Sequence, residues 1–207
     1  MQPLEPVGGS PRPDERRVAS GAGYLLERYV AAKDGNRPHL MADIYAPDAV
    51  LTYSIATDAI SFPARTVGVE AITRTLVVDF GQRFTRCQTY YIVDDPSAGD
   101  ASIPFIPWLV LMREEARSST RVGRGFYAWT FARANAGQLR VTAMHIHIDR
   151  MDLIDDPESQ LLANLQAPLP YPWLRPTALR DAFHRLTIGL APASLEEFKR
   201  PMTRPPT

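Results

Sequence analysis

The sequence has few features of an exported or membrane-bound protein. Its 207 residues include a single cysteine, Cys87, which excludes an internal disulfide. No stretch approaches the roughly 18 consecutive apolar residues that a membrane-spanning helix needs. The N-terminal segment MQPLEPVGGSPRPDERR has prolines and acidic residues where a secretory signal has an apolar run. These features together predict a cytoplasmic protein without a membrane partner.

The chain also lacks an excess of charge of one sign. Lys and Arg number 23, as do Asp and Glu, and the basic residues are scattered, so we expect no nucleic-acid partner. No G-x-S-x-G motif frames a serine, which removes support for a hydrolase triad. Gly21-Ala22-Gly23 opens a predicted helix without a strand before it, so it does not form a phosphate cradle. We therefore expect no cofactor.

Prolines divide the chain into three predicted parts. Residues 1–13 are expected to be flexible, residues 14–155 to form one domain with a single core, and residues 156–207 to form a Pro-rich helical extension. A free tail would hardly carry Trp173, Phe183 and Phe198. We therefore expect the extension to pack on the body of the protein or on a partner subunit.

The periodicity of the apolar residues changes along the chain. Helical spacing is found in 23–36, 39–46 and 69–84, and 49–55 is typical of a strand. Period-two alternation then dominates four later runs, which are 85–93, 107–116, 124–133 and 139–151. Helices followed by a meander predict an α+β fold in which a curved antiparallel sheet wraps three N-terminal helices.

The order of these elements resembles a known family. The segment YAPDAVLTY after two helices, the helix start Gly68-V-E-A-I-T and the closing strand G-Q-L-R-V-T-A-M are similar to the nuclear transport factor 2-like superfamily. This superfamily includes ketosteroid isomerase and the SnoaL-like polyketide cyclases. Over about residues 20–153, the resemblance implies a cone-shaped, cystatin-like sheet that encloses an apolar ligand pocket.

The resemblance carries over only part of a catalytic site. In ERYVAA, Tyr29 matches the ketosteroid isomerase tyrosine that donates a hydrogen bond to the developing oxyanion. The general base and the second donor of that enzyme fall near Tyr53 and Trp129, and neither is a carboxyl group. A phenol with a pKa near 10 is a poor base at neutral pH, so steroid-type proton shuttling is not inherited.

Two functional hypotheses remain open on these residues. The first is a cofactor-independent isomerase or lyase, either a dehydratase or a cyclase, in which tyrosine polarises an oxygen of an apolar ligand. The second is a non-catalytic homodimer of the same fold that binds a ligand or a protein partner through its convex sheet face. The predicted catalytic residues are Tyr29 and Tyr53, and the predicted ligand-binding residues are Tyr45, Tyr90, Trp129, Met144 and Ile146.

The stretch AMHIHIDRM, residues 143–151, carries two of the four histidines of the chain. Met144, Ile146 and Ile148 form its more apolar set, which places His145, His147 and Asp149 on the convex face. The resemblance also assigns Thr142 to the pocket side. H-x-H supplies only two ligands where zinc needs three or four, and His39 and His184 lie far off in sequence, so no metal site is expected. A β-bulge would reverse this assignment and turn a histidine into the pocket.

Overall fold

The helices before the meander lie in three regions of the chain. The computed structural model describes residues 21–94, 101–134, 137–187 and 193–204, so the predicted flexible segment 1–13 lies outside the described residues. The helical segments are α1 (Ala22–Asp34), a 3-10 helix (Pro38–Asp43), α2 (Val69–Thr73), a π-helical turn (Arg74–Val78) and α3 (Asp79–Arg83). None of the described helices is long and apolar enough to cross a membrane.

Seven strands form one curved, open sheet in the order β2-β1-β6-β5-β4-β3-β7. They are β1 (Tyr45–Ile55), β2 (Arg65–Val67), β3 (Thr85–Ile92), β4 (Ser102–Glu114), β5 (Ser119–Arg133), β6 (Leu139–Asp155) and β7 (Trp173–Leu174). The meander from β3 to β6 is antiparallel as predicted, but β1 runs parallel to β6 and β7 runs parallel to β3. The sheet is therefore mixed, because period-two patterning identifies strands without giving the direction of neighbours distant in sequence.

The second predicted helix, 39–46, ends earlier than expected. A 3-10 helix covers Pro38–Asp43, and Tyr45 already lies in β1, where it pairs with Val141. Pro47 prevents the helix from continuing, and the strand begins in its place. Tyr45 is consequently presented to the core by the sheet.

Two bulges bend β6 and set the direction of its side chains. The pairing with β5 skips Thr142 and, further along, Asp149. Bulges of this kind increase the local twist and curvature of a sheet. Between them the register is unbroken, and Met144, Ile146 and Ile148 face the core under the helices. Thr142, assigned to the pocket side from the sequence, is instead the unpaired residue of the first bulge, which corrects that prediction.

The described part of the C-terminal extension packs on the convex face of the same chain. It comprises α4 (Gln160–Gln166), β7, α5 (Pro176–Thr187) and a 3-10 helix (Ala193–Lys199). Its buried Leu162, Phe183 and Phe198 share a second hydrophobic cluster with Leu109 and Leu111 of β4. The extension thus covers β3 and β4, while the boundary between residues 155 and 156 stays a prediction.

Candidate functional site

A small cavity lies between the concave face of the sheet and the helices. Its volume is about 40 Å³, room for about three water molecules at 10–15 Å³ each. Its lining comprises Tyr29, Lys33, Tyr53, Ile60, Phe62, Leu76, Phe80, Trp108, Val110, Met112, Tyr127, Ile146, Ile148 and Met151. The cavity is a narrow space, and an organic ring would enter it only if some of these side chains moved.

Tyr29 projects from α1 into an aromatic environment. Its ring is fully buried and makes edge contacts with Tyr45, Tyr127 and Trp129 at centroid distances of 6.4, 6.0 and 5.1 Å. Its hydroxyl makes no hydrogen bond of normal geometry with any described residue. Burial, assisted by the neighbouring phenols, raises the pKa of Tyr29 well above its ordinary value. The hydroxyl therefore remains protonated at neutral pH, and its O–H is free to donate a hydrogen bond.

Tyr53 presents a second buried hydroxyl to the same cavity. Its ring stacks on Phe62 with 4.7 Å between the centroids and 1° between the planes. The hydroxyl has no hydrogen-bond partner among the described residues, and burial raises the pKa of Tyr53 above its ordinary value. Two buried hydroxyls without a hydrogen bond of normal geometry to a described residue thus line one cavity, one from α1 and one from β1, and the polar group beside Tyr29 is Tyr127.

Lys33 also lines the cavity, and the sequence analysis missed it. Only 6% of this residue is exposed, and its Nζ lies 2.7 Å from Asp34 Oδ1, 3.4 Å from Cys87 Sγ and 4.5 Å from the Phe80 ring centroid. Burial by itself lowers the pKa of the ammonium, but the Asp34 carboxylate outweighs this and holds the pKa above its ordinary value. The cavity therefore has a charged donor at its edge.

Asp34 balances this charge and is itself saturated with donors. Thr89 donates to it from its backbone N–H at 2.6 Å and from its hydroxyl at 3.0 Å. Tyr171 of the extension donates its hydroxyl at 3.1 Å, and the Cys87 thiol donates at 3.3 Å. Burial raises the pKa of Cys87 to about 12, so the thiol is not a nucleophile at neutral pH.

The other predicted site residues separate into three groups. Ile146 lines the cavity together with Tyr29 and Tyr53. Tyr45, Trp129 and Met144 are buried on the same side but behind the cavity wall, and the Tyr45 hydroxyl donates to Met144 Sδ at 2.9 Å.

Tyr90 does not reach the cavity, which corrects the prediction. It lies in the convex cluster beneath the extension, and its hydroxyl donates to Gln88. Its neighbour Tyr91 faces the core instead and donates to the carbonyl of Leu26 at 3.0 Å. Because both residues are tyrosines, the alternation of residue types along the strand does not predict which of them faces the core.

Two of the missed residues carried a signal in the sequence. Lys33 follows Tyr29 by four positions, which places both on one face of a helix. Tyr127 precedes Trp129 by two positions on β5, which places both on one face of a strand. The remaining missed residues of the cavity lining are apolar or aromatic. Their spacing in the sequence is the same as that of ordinary core residues.

The cavity can polarise an oxygen but has no evident base. Among the described residues, no Asp, Glu or His side chain hydrogen-bonds to the hydroxyl of Tyr29 or Tyr53. The same ranges hold no group of three or more His, Cys, Asp or Glu side chains arranged to bind a metal. Hydrogen-bond donation by two phenols and one ammonium is thus the chemistry that this arrangement supplies.

The histidines of the H-x-H motif lie on the opposite face of β6. His145 and His147 are half-buried beside Thr52 and Ser54 of β1. Burial lowers the pKa of both imidazoles, and His147 lowers that of His145 further. Both histidines are therefore neutral at pH 7 and take no part in the cavity.

Comparisons with known proteins find similarity at the level of structure. No protein-family model matches the chain, and no curated protein matches it in sequence. The crystal structure of LinA is 16% identical and aligns over 67% of this chain and 91% of LinA, with a TM-score of 0.50.

Two further solved structures give comparable alignments. A nuclear transport factor 2-like superfamily protein from Salmonella enterica serovar Typhimurium is 15% identical over 60% of this chain and 85% of its own, with a TM-score of 0.49. The hexachlorocyclohexane dehydrochlorinase LinA-type3 from Novosphingobium barchaimii is 15% identical over 68% and 94%, with a TM-score of 0.48. The chain thus has the nuclear transport factor 2-like fold expected from its sequence.

Proposed function

We propose that this protein uses its nuclear transport factor 2-like fold to bind a small, largely apolar and uncharged molecule that carries a carbonyl or similar oxygen. The observation that carries the proposal is the pair of buried hydroxyls, Tyr29 and Tyr53, that have no hydrogen-bond partner among the described residues and line a largely apolar cavity. A buried donor left unpaired costs about 1–3 kcal/mol. A ligand oxygen that accepts from these hydroxyls would recover that free energy.

The charge balance of the cavity favours an uncharged ligand. The Lys33 ammonium is already neutralised by Asp34 at 2.7 Å. A carboxylate ligand would bring a net negative charge into a desolvated space, and an uncompensated buried charge is strongly unfavourable. A ketone, ester or similar neutral acceptor can use the phenols and the edge of the ammonium without this penalty.

Entry of a ring requires an opening, and the cavity wall has a segment suited to it. Leu76 lies in the π-helical turn, and Phe62 lies in the connection between β1 and β2. π-helical turns interrupt the regular hydrogen-bond ladder and are frequent at functional sites. We propose that the ligand enters on the side of the cavity lined by Phe62 and Leu76 and displaces the Phe62 ring from Tyr53.

Catalysis is the second candidate, and the same donors favour it. Two phenols that donate to one oxygen would stabilise charge developing there during isomerisation, dehydration or ring closure. One similar structure is named as a dehydrochlorinase, but at that identity the similarity shows the fold alone. Because no Asp, Glu or His of the described residues hydrogen-bonds to either hydroxyl, we rank binding above catalysis.

The remaining parts of the proposal concern assembly and location. The extension covers part of the convex face and leaves Phe126, His145 and His147 half-exposed. We propose that the protein forms a homodimer through this uncovered part of the convex sheet face. The single cysteine is a buried free thiol, in keeping with the proposed location in the reducing cytoplasm.

Ligand binding by the wild-type chain is the test of this function. Fluorescence of the buried Trp108 and Trp129 would be titrated with planar aromatic ketones, with hydrocarbons of the same shape and with the matching carboxylic acids. We expect ketones to bind tightest. Tyr29→Phe should weaken ketone binding by about 1–3 kcal/mol and leave hydrocarbon binding unchanged. The matched control is Tyr91→Phe, whose hydroxyl is already bonded to a backbone carbonyl.

The binding titration and a second experiment, hydrogen exchange, decide between the binding and the enzyme hypotheses. Equal binding of ketone and hydrocarbon, unaffected by Tyr29→Phe, would contradict the proposed role of the phenols. Exchange of the hydrogens next to the ketone carbonyl into deuterated water, followed by mass spectrometry, would reveal a base. Exchange that depends on the protein would place the enzyme hypothesis first.

A further inference from the structure

Three polar side chains converge at one point on the convex face, away from the cavity. Ser54 Oγ lies 2.9 Å from His145 Nε2 and 2.7 Å from His147 Nδ1. The parallel pairing of β1 with β6, in which Thr52 faces His145 and Ser54 faces His147, produces this convergence. Two imidazole nitrogens and one hydroxyl oxygen are thus held close together by backbone register.

Both imidazole rings are oriented by further contacts. The Thr52 hydroxyl lies 2.8 Å from His145 Nδ1, so a proton on Nδ1 leaves the Nε2 lone pair directed at Ser54. Phe126 stacks on His147 with 4.9 Å between centroids and 24° between planes. Metal-binding histidines typically have one ring nitrogen bonded to a second group, and the Thr52 contact provides this for His145, whereas stacking orients His147.

The spacing of the donor atoms matches one coordination geometry better than another. For bonds of about 2.1 Å, ligands at right angles are about 3.0 Å apart, whereas tetrahedral ligands are about 3.4 Å apart. The two distances from Ser54 Oγ, 2.9 and 2.7 Å, are those of hydrogen bonds and are also close to the first value. Imidazole donors in square or octahedral arrangement suit Cu²⁺ and Ni²⁺, while Zn²⁺ in proteins prefers a tetrahedron.

We propose that His145 Nε2, His147 Nδ1 and Ser54 Oγ form a binding site for a divalent transition-metal ion of the copper or nickel class. Water completes the coordination while this part of the sheet is uncovered, because the three residues are half-exposed. Asp149 is not a ligand, since Arg124 holds its carboxylate at 2.7 Å. The site is independent of the ligand proposed for the cone, because it lies on the other face of the sheet.

The test is a metal titration of the untagged full-length chain. Calorimetry with CuCl₂ or NiCl₂ in a non-coordinating buffer at about pH 7.5, where free imidazole is mainly neutral, should give one strong site per chain. Affinity should fall from Cu²⁺ to Ni²⁺ to Co²⁺. His145→Ala and His147→Ala should each weaken binding by at least about tenfold, and the exposed His39→Ala is the matched control.

Spectroscopy separates the proposed site from other copper binding. The electron paramagnetic resonance spectrum of the Cu²⁺ complex should show coupling to two imidazole nitrogens in the wild type and to one in each single-histidine variant. Thr52→Val should weaken binding by about 10- to 100-fold through loss of ring orientation, and Thr52→Ser should restore it. Circular dichroism of each variant establishes that it is folded.

Several results would overturn the proposal. One is the absence of a strong site in the wild type. Another is coupling to two imidazole nitrogens that persists in both His145→Ala and His147→Ala, and a third is an equal loss of affinity in His39→Ala. In those cases the Ser54 hydroxyl would be bridging the two histidines by hydrogen bonds alone.

Discussion

The two faces of β6 place polar groups in opposite situations. On the concave side, the hydroxyls of Tyr29 and Tyr53 are buried without partners. On the convex side, the half-exposed Thr52 and Ser54 hydroxyls each lie within 2.9 Å of an imidazole nitrogen. Water could have served the outer groups, whereas nothing but a ligand or a trapped water can serve the inner ones. The unpaired donors are therefore the reason for placing the proposed organic ligand on the concave face.

Charge on the concave side contrasts with the unpaired hydroxyls there. The side chains of Lys33 and Asp34 are both almost fully buried. Besides the Lys33 ammonium, Thr89 and Tyr171 donate hydrogen bonds to the Asp34 carboxylate. A buried charge without a partner costs much more free energy than a buried hydroxyl without one. The fold therefore pairs the Lys33 and Asp34 charges and leaves the two tyrosine hydroxyls unpaired. The predictions below test this contrast in order of expected effect.

Removal of the Asp34 carboxylate should have the largest effect on stability. Asp34→Ala leaves Lys33, Thr89 and Tyr171 without their acceptor, and breaking a buried pair from one side typically costs about 3–5 kcal/mol. Urea unfolding would measure this loss. Asp43→Ala removes an exposed ion pair with Arg28 and should cost less than about 1 kcal/mol.

The double variant Lys33→Met with Asp34→Ala refines this prediction. It removes the orphaned charge and should recover part of the stability lost in Asp34→Ala. Equal stabilities for Asp34→Ala and Asp43→Ala would show that the buried pair is not formed in solution.

Two Tyr→Phe substitutions should change the free energy of unfolding in opposite directions. Tyr29→Phe removes an unpaired buried hydroxyl and should raise the free energy of unfolding by about 1 kcal/mol, while Tyr91→Phe loses its bond to the Leu26 carbonyl and should lower it by about the same amount. Thermal and urea unfolding of both variants would measure the difference. A loss of stability in Tyr29→Phe would mean that water or another group satisfies its hydroxyl.

Acidification should produce the smallest change in stability, through the two histidines of the convex face. Burial lowers the pKa of His145 and His147 in the folded state, whereas unfolded imidazoles titrate near pH 6.5. As the pH falls below about 6.5, the unfolded chain takes up protons that the folded chain does not, so stability declines. Comparing urea midpoints at pH 7.5 and 5.5 should show this decline reduced in His145→Gln/His147→Gln. His39→Gln is the exposed control, and a decline unchanged in the double variant would contradict the assignment.

The order of elements and the face of the central motif were predictable from the sequence. The change from helical to period-two spacing located α1 and the meander strands, and the apolar set Met144, Ile146 and Ile148 placed the histidines outward. Features that depend on one-residue irregularities were not predictable. The bulge at Thr142 reversed its assignment, and Tyr90 and Tyr91 differ in face although both are aromatic.

The site was only partly predictable for a related reason. Tyr29 and Tyr53 were predicted from the family resemblance, and both line the cavity. In the sequence, Lys33 looks like any exposed lysine at the end of a helix, and only the structure shows it buried beside Asp34 and Cys87. Pairing across distant segments decides whether such a charge can be buried. Local spacing does not contain that information.

By itself the sequence determined which segments form helices and strands and which side of most strands is apolar, because these follow from spacings of a few residues. The tertiary structure alone decided that the cone is nearly filled, that an ammonium lies at its edge and that Ser54 meets two imidazoles. Those results depend on how side chains from distant segments share space and charge, and only the packed chain fixes those distances.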